Sequence, residues 1–210
     1  MSTVSDGPVI LLLAAGEGAR FGGIKQLAPV DGEPMIRRSA RQALACGVPV
    51  LAVLGAHAEA VAPALADLPV QVLVHPGWSR GMGDSLAAGV RTIQAQHPLA
   101  DSVLVVLADQ PRLGTRLLTA LLAAHARAPS DILATAMAGR AGPPALFPRS
   151  DFAALAALTG PHGARELLQR EAARVALLDP HAHGADLLDV DTPADLAFTH
   201  RSPIEPPESP

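Results

Sequence analysis

"VILLLAAGEGARFGGIKQL", Val9 to Leu27, decides how the rest of the chain is read. Val9 to Leu13 is a short continuous apolar run, the pattern of a buried strand. Small residues follow at Ala14, Ala15, Gly16 and Gly18, then Gly22 and Gly23, with cations at Arg20 and Lys25. A glycine-rich turn directly after a strand lies at the carboxyl end of a sheet, where open α/β sheets bind ligands. A dinucleotide fingerprint needs glycine at 16, 18 and 21, and position 21 is Phe. A Walker A loop needs Gly-Lys-Ser/Thr, whereas Lys25 stands between Ile24 and Gln26. What remains still favours phosphate. Small side chains let backbone N–H groups form an anion nest, and two nearby cations suit a triphosphate. The alternative is a flexible strand-to-helix turn carrying two solvated cations.

Beyond this turn, apolar runs alternate with Ala/Leu-rich stretches. "VPVLAVLG", "VQVLVH" and "DSVLVVLAD" read as strands, "DILATAMA" and "PALFP" as shorter ones, and "RVALLD" as the last. Helices are expected from Pro34 to Gly47, over "HAEAVAPALADL" with a break or restart at Pro63, and over "GDSLAAGVRTIQAQ". Three more are expected: "GTRLLTALLAAHARA" opened by Thr115, "SDFAALAALTG" and "GARELLQREAA". Continuous apolar strands between helices predict an α/β, three-layer αβα sandwich with a mostly parallel, Rossmann-like sheet covered on both faces. A single domain over residues 1–200 and a disordered, proline-rich tail over 201–210 are expected. "AGRAGPP" (138–144) is expected to be a loop over the site.

Composition narrows the function. Aromatic residues are 2% of the 210, too few for a base-stacking platform, and the net charge of −4 comes without a basic run. Nucleic-acid and membrane partners are therefore not expected. Cys46 is the only cysteine, and the N-terminus lacks the basic and apolar segments of a signal peptide. A cytoplasmic protein is expected.

The loop resembles the signature of nucleotidyltransferases related to molybdenum cofactor synthesis, roughly L-A-A/G-G-x-x-x-R-x-G-x-x-K. Leu13, Ala14, Ala15, Gly16, Arg20, Gly22 or Gly23, and Lys25 supply it. "RGMGDSLAAGV" (80–90) resembles the family's base-recognition segment and "VLADQPRL" (106–113) its metal-binding segment. "LTGPHGARELL" and "DVDTPADL" resemble its C-terminal elements, so the likeness runs from about Val9 to Ala197. "LAAG" is of the cytidylyl type; guanylyl relatives more often carry "LAGG".

The resemblance implies the nucleotide-diphospho-sugar transferase type of fold and a Mg²⁺-dependent reaction. In it, CMP passes from CTP to the terminal phosphate of a pterin-type molybdenum cofactor and pyrophosphate leaves. It implies catalytic roles for Lys25, Arg20 and Asp109. It implies nucleotide binding by Leu13, Ala14, Ala15, Gly16, Gly18, Arg20, Gly22, Gly23 and Lys25, and by Gly81, Met82, Gly83 and Ser85. It implies metal binding by Asp109 and Asp191, and transient contact with a client molybdoenzyme. Asp109 ends an apolar strand beside the loop, a position suited to Mg²⁺ and equally to a turn before Pro111. Asp189 and Asp191 share one side of an extended segment, so either reaches the metal, and Asp191 also suits a helix cap before Thr192-Pro193. Asp84 or Ser85 suits an N-cap. Two departures touch the acceptor side. Gly142-Pro143-Pro144 stands for the family's Gly-His-Pro, and Pro161-His162 stands in its G-D-x-G-A-R. The alternatives are GTP with the same acceptor, a sugar or polyol phosphate as acceptor, and a non-catalytic cofactor carrier.

Overall fold

β1 (Gly7–Ala14) runs through the middle of the molecule, with Val9 to Leu12 fully buried. The structure, a computed structural model, describes residues 7–137 and 139–199; the first residues and the 201–210 tail lie outside them. β1 pairs in parallel with β4 (Val50–Leu54) on one side and β6 (Ala100–Leu107) on the other. The seven-stranded sheet is completed by β5 (Gln71–Val74), β7 (Ile132–Met137), β8 (Arg140–Pro148) and β9 (Val175–Leu178), in the order β5-β4-β1-β6-β8-β7-β9. Only β8 runs against its neighbours, so the sheet is mostly parallel, as the continuous apolar strands predict.

Two apolar layers follow from alternation along the strands. Ile10 and Leu12 pack on one face with Ile36, Ala40, Leu117 and Leu121, from α1 (Met35–Leu44) and α4 (Thr115–Arg127). Leu11 and Leu13 pack on the other with Leu86, Val90 and Ile93 of α3 (Met82–Gln96), and with Phe152 and Leu155 of α5 (Phe152–Ala156). The smaller elements are α2 (Ala58–Val61), α6 (Arg165–Arg170), α7 (Pro193–Thr199) and a short hairpin of β2 (Pro29–Val30) and β3 (Glu33–Pro34).

Several local expectations change. Most of "AGRAGPP" is strand and not loop: Arg140 to Pro144 belong to β8, and Arg140, Ala141 and Gly142 pair with Met137, Ala136 and Thr135, making a β7–β8 hairpin. The Thr135 hydroxyl donates to Gly142 O (3.1 Å) and Pro143 O (3.0 Å), satisfying carbonyls where the register shifts. Pro63 restarts rather than continues its helix, because α2 ends at Val61 and a 3₁₀ turn spans Ala62–Leu65. Helix α4 opens at Thr115 as expected, but the side-chain cap that Asp84 or Ser85 suits is absent from α3. Gly81 and Gly114 hold the N-cap positions without a side-chain bond, and the Thr115 hydroxyl donates to Gln42 O instead. The helices expected over 150–160 and 163–173 are shorter, each broken into an α-turn and a 3₁₀ turn.

Candidate active site

The carboxyl ends of β1 and β6 lie side by side, held by Ala108 N–H to Leu13 O at 3.0 Å. The chain leaves both ends away from the sheet, opening a cleft of about 290 Å³ between them. Leu13, Ala14, Ala15, Gly16, Gly18 and Lys25 from the first loop line it, with Gly81, Met82 and Ser85 from the start of α3 and Asp109 after β6. Ten of the residues expected at the site from sequence thus share one cavity. Gly22 and Gly23 stand outside the lining, where Gly22 (φ +73°) closes a 3₁₀ turn over Ala19–Phe21. Gly83 lies behind the lining, and its N–H donates to Gly160 O at 2.8 Å.

The charged groups converge beside the cleft: Lys25 and Asp109 line it, while Arg20 and Asp191 stand outside the lining and join them through ion pairs. Lys25 Nζ donates to Asp109 Oδ2 at 2.8 Å and to Asp191 Oδ1 at 3.3 Å. Arg20 Nη2 reaches the second oxygen, Asp191 Oδ2, at 3.0 Å. Burial by itself would lower the Lys25 ammonium's pKa, but the carboxylates of Asp109 and Asp191 outweigh it and hold the pKa above its ordinary value. Lys25 is therefore a fixed cation at neutral pH.

Asp191 reaches this cluster through two local devices. Val190 N–H donates to Asp109 O at 2.9 Å, which draws the 189–191 segment alongside the end of β6. Val190 is buried with Val30 and Met35, so Asp189 and Asp191 both turn away from that apolar cluster. Asp191 meets Lys25, and Asp189 accepts from Gln110 Nε2 at 2.9 Å. Burial raises the Asp189 carboxyl's pKa, opposed by the Gln110 hydrogen bond and reinforced by Asp109 and Asp191. Asp191 is not the cap of α7. Asp195 Oδ2 accepts from Thr192 N (2.7 Å), Thr192 Oγ1 (2.9 Å) and Asp191 N (3.0 Å), which leaves the Asp191 carboxylate free for the cleft.

Helix α1 steadies the opposite rim. The Ser39 hydroxyl donates to Ala108 O at 3.0 Å, and Arg38 Nε to Pro111 O at 2.9 Å. The turn bearing Asp109 is thereby held on its backbone as well as by the Lys25 ion pair. Asp109 Oδ1 is buried and accepts no hydrogen bond among the described residues. With Asp191 it presents hard oxygen donors that suit Mg²⁺ or Mn²⁺. No group of three or more His, Cys, Asp or Glu able to hold an ion occurs among the described residues. Two carboxylates with further oxygens from a phosphate and water is the arrangement such an ion accepts.

Sequence reasoning missed one contributor. Gln26, only 5% exposed, donates through Nε2 to Ala14 O (3.1 Å) and Gly16 O (2.7 Å), pinning the loop from inside. A lone amide in a turn carries no periodic signal. Trp78 forms part of the cleft floor, and Gly55 packs so closely beneath it that a Cβ there would lie 2.6 Å from Trp78 Cβ. The His181–His183 turn lies in a 3₁₀ segment and belongs to no metal cluster among the described residues. Cys46 is half-buried at the end of α1 and is free.

The profile of the MobA-like NTP transferase domain matches residues 10–175, a span that contains the glycine-rich loop, the cleft and Asp109. The chain belongs to that family. As a family member it is a nucleotidyltransferase, with the mostly parallel fold of that group. It is 30% identical to the purine catabolism protein PucB of Bacillus subtilis (strain 168) over 91% of this chain and 95% of that one. It is 38% identical to nicotine blue oxidoreductase of Paenarthrobacter nicotinovorans over 55% of each chain, so that match spans about half of the relative's length. Among solved structures it is similar to Rv0371c of Mycobacterium tuberculosis H37Rv. The TM-score is 0.79 and the identity 28%, over 95% of this chain and 98% of that one. Rv0371c has also been solved in complex with manganese. No helix among the described residues is long and apolar enough to cross a membrane.

Proposed function

We propose that this MobA-like transferase moves CMP from CTP to the terminal phosphate of a pterin-type molybdenum cofactor, releasing pyrophosphate. The observation that carries the reading is the convergence of Lys25, Arg20, Asp109 and Asp191 beside a glycine-lined cleft. The triphosphate lies along Ala14 to Gly18, whose small residues let backbone N–H groups approach the phosphates. The base lies toward Gly81, Met82 and Ser85, with Gly83 supporting them from behind. Ala15, 6% exposed, lines the cleft, and the "LAAG" to which it belongs is the cytidylyl form of the family's loop, which is what supports CTP over GTP.

A phosphate oxygen of the acceptor attacks the α-phosphorus of CTP in line, a new P–O bond forms, and the bond to pyrophosphate breaks. The acceptor oxygen is already ionised, so no protein base is needed. Lys25 and Arg20 move from the carboxylates to the phosphates, offsetting the charge that gathers on the oxygens in the transition state. Asp109 and Asp191 would hold Mg²⁺, which supplies charge neutralisation on the triphosphate.

The test is pyrophosphate release from each of CTP, GTP, UTP and ATP with Mg²⁺ and the isolated molybdenum cofactor. Release with CTP alone is expected, together with a cofactor–CMP conjugate. Selective release with GTP overturns the cytidylyl reading. Release only with a sugar or polyol phosphate overturns the acceptor, and binding without any release leaves a carrier. Oxidoreductase turnover with no pyrophosphate release would place the chain with the redox chemistry named for its Paenarthrobacter relative. The absence of the dinucleotide fingerprint at Phe21 weighs against that outcome.

A further inference from the structure

The loop that opens α3 and the loop from Thr159 to Gly163 lie far apart in sequence and are built into each other. Gly83 N–H donates to Gly160 O at 2.8 Å, and Gly160 N–H donates back to Asp84 Oδ2 at 3.0 Å. Asp84 Oδ1 meanwhile accepts from Arg80 Nε at 2.7 Å, so both carboxylate oxygens are engaged. Asp84 is 8% exposed, although it lies in the first turn of a helix whose N-cap position carries no side-chain bond. A carboxylate there was expected to cap the helix; instead it reaches across to another loop.

The backbones are in close contact as well. A Cβ on Gly81 would stand 2.5 Å from the Gly160 carbonyl, and one on Gly83 would stand 2.6 Å from Thr159 O. A Cβ on Gly163 would stand 2.9 Å from the Met82 sulfur. Met82, Gly81 and Ser85 line the cleft, whereas Asp84 and Gly160 do not. Gly83 and Asp84, which bond the second loop, thus lie between the cleft-lining Gly81-Met82 and Ser85.

We propose that Asp84 is a positioning residue that fastens the base-facing loop, Gly81 to Ser85, to the Thr159–Gly163 loop, so that the two loops hold the nucleoside end of the substrate as one unit. Nothing in this clamp touches the phosphates, which are met by the opposite wall at Gly16 to Lys25. The inference rests on the nucleotide reading above for its ligand, but the clamp itself is a property of this chain. It assigns a structural purpose to "TGPHG", the segment where the family's acid is replaced by Pro161-His162.

The test compares wild type, Asp84→Ala and Asp84→Asn. Trp78, the single tryptophan and part of the cleft floor, reports binding by its fluorescence. Asp84→Ala is expected to weaken the nucleoside triphosphate that wild type prefers by about tenfold, the worth of a charge-assisted hydrogen bond. Its affinity for inorganic tripolyphosphate with Mg²⁺ should stay within about twofold, since the phosphate wall is untouched. Asp84→Asn keeps an oxygen for Gly160 N–H and should recover part of the loss. Equal weakening of both probes, or of neither, overturns the proposal. Hydrogen exchange provides the second measurement. Residues 81–85 and 159–163 should lose protection together in Asp84→Ala, and unchanged protection at 159–163 overturns the clamp. If wild type binds tripolyphosphate but no nucleoside triphosphate, the nucleotide reading fails, and the exchange result still decides the clamp.

Discussion

Lys25 is the residue on which the site turns, because it neutralises two carboxylates that would otherwise repel each other beside the cleft. Lys25→Met removes that cation and a phosphate contact together. Both carboxylates are partly open to solvent, so the variant should remain folded, with a loss of about 1 kcal/mol. Turnover should fall by roughly 10²–10³, the usual cost of removing one charge-stabilising group from a transition state. Asp109→Asn should do the same. Asp191→Asn should lose far more activity than Asp189→Asn, because Asp191 meets Lys25 and Arg20 while Asp189 meets an amide. Equal losses at 189 and 191, measured by pyrophosphate release on variants with unchanged circular dichroism, would reverse that assignment.

Among the elements, the sheet and its helices carry two buried imidazoles. His75 follows β5, and His125 lies on the inward face of α4, 6% exposed, its Nδ1 without a hydrogen-bond partner among the described residues. Burial lowers both pKa values from 6.5, further helped at His75 by Arg80 and opposed at His125 by Asp101. A group whose folded pKa is depressed adds stability that is complete above its unfolded value. That stability is lost as pH falls from there through the folded value, because only the unfolded chain takes up the proton freely. Thermal unfolding should therefore move to lower temperature between pH 7.5 and pH 5.5. His125→Gln should show a smaller drop than wild type over the same window. An unchanged drop would mean that other groups carry the acid sensitivity. Element identity itself was readable locally, since Val9–Leu13 and Val103–Leu107 are continuous apolar runs and become β1 and β6. Both strands of the β7–β8 hairpin were readable too, but not the start of β8, because Arg140–Gly142 lie in a Gly/Pro-rich stretch that reads as a loop while cross-strand pairing to Thr135–Met137 makes them a strand.

Considered whole, the molecule is a doubly covered sheet with its charged cleft at one end, and ligand binding there should stabilise the entire fold. A preferred nucleotide at 100 times its dissociation constant adds about 2.7 kcal/mol to unfolding. At about 2–4 °C per kcal/mol for a chain of this size, the midpoint should rise by roughly 5–10 °C. CTP with Mg²⁺ or Mn²⁺ is expected to give that shift, and Asp109→Asn to abolish the metal-dependent part. A uniform shift with all four nucleotides would show that the cleft reads phosphates and not the base.

The amino-acid pattern alone decided the layered α/β architecture, the glycine-rich turn at a strand's end and the residue types gathered around it. Those are local matters: hydrophobic period, small side chains beside a strand, an acid after an apolar run. Only the folded chain decided that Asp191, separated by 166 positions from Lys25, shares its ammonium with Asp109. Only the fold took Asp191 out of the helix cap by giving that work to Asp195, and bound Asp84 to Gly160. The physical reason is the same in each case. A short polar side chain has several partners within reach of its own turn, and which it takes depends on what the crossover connections bring beside it.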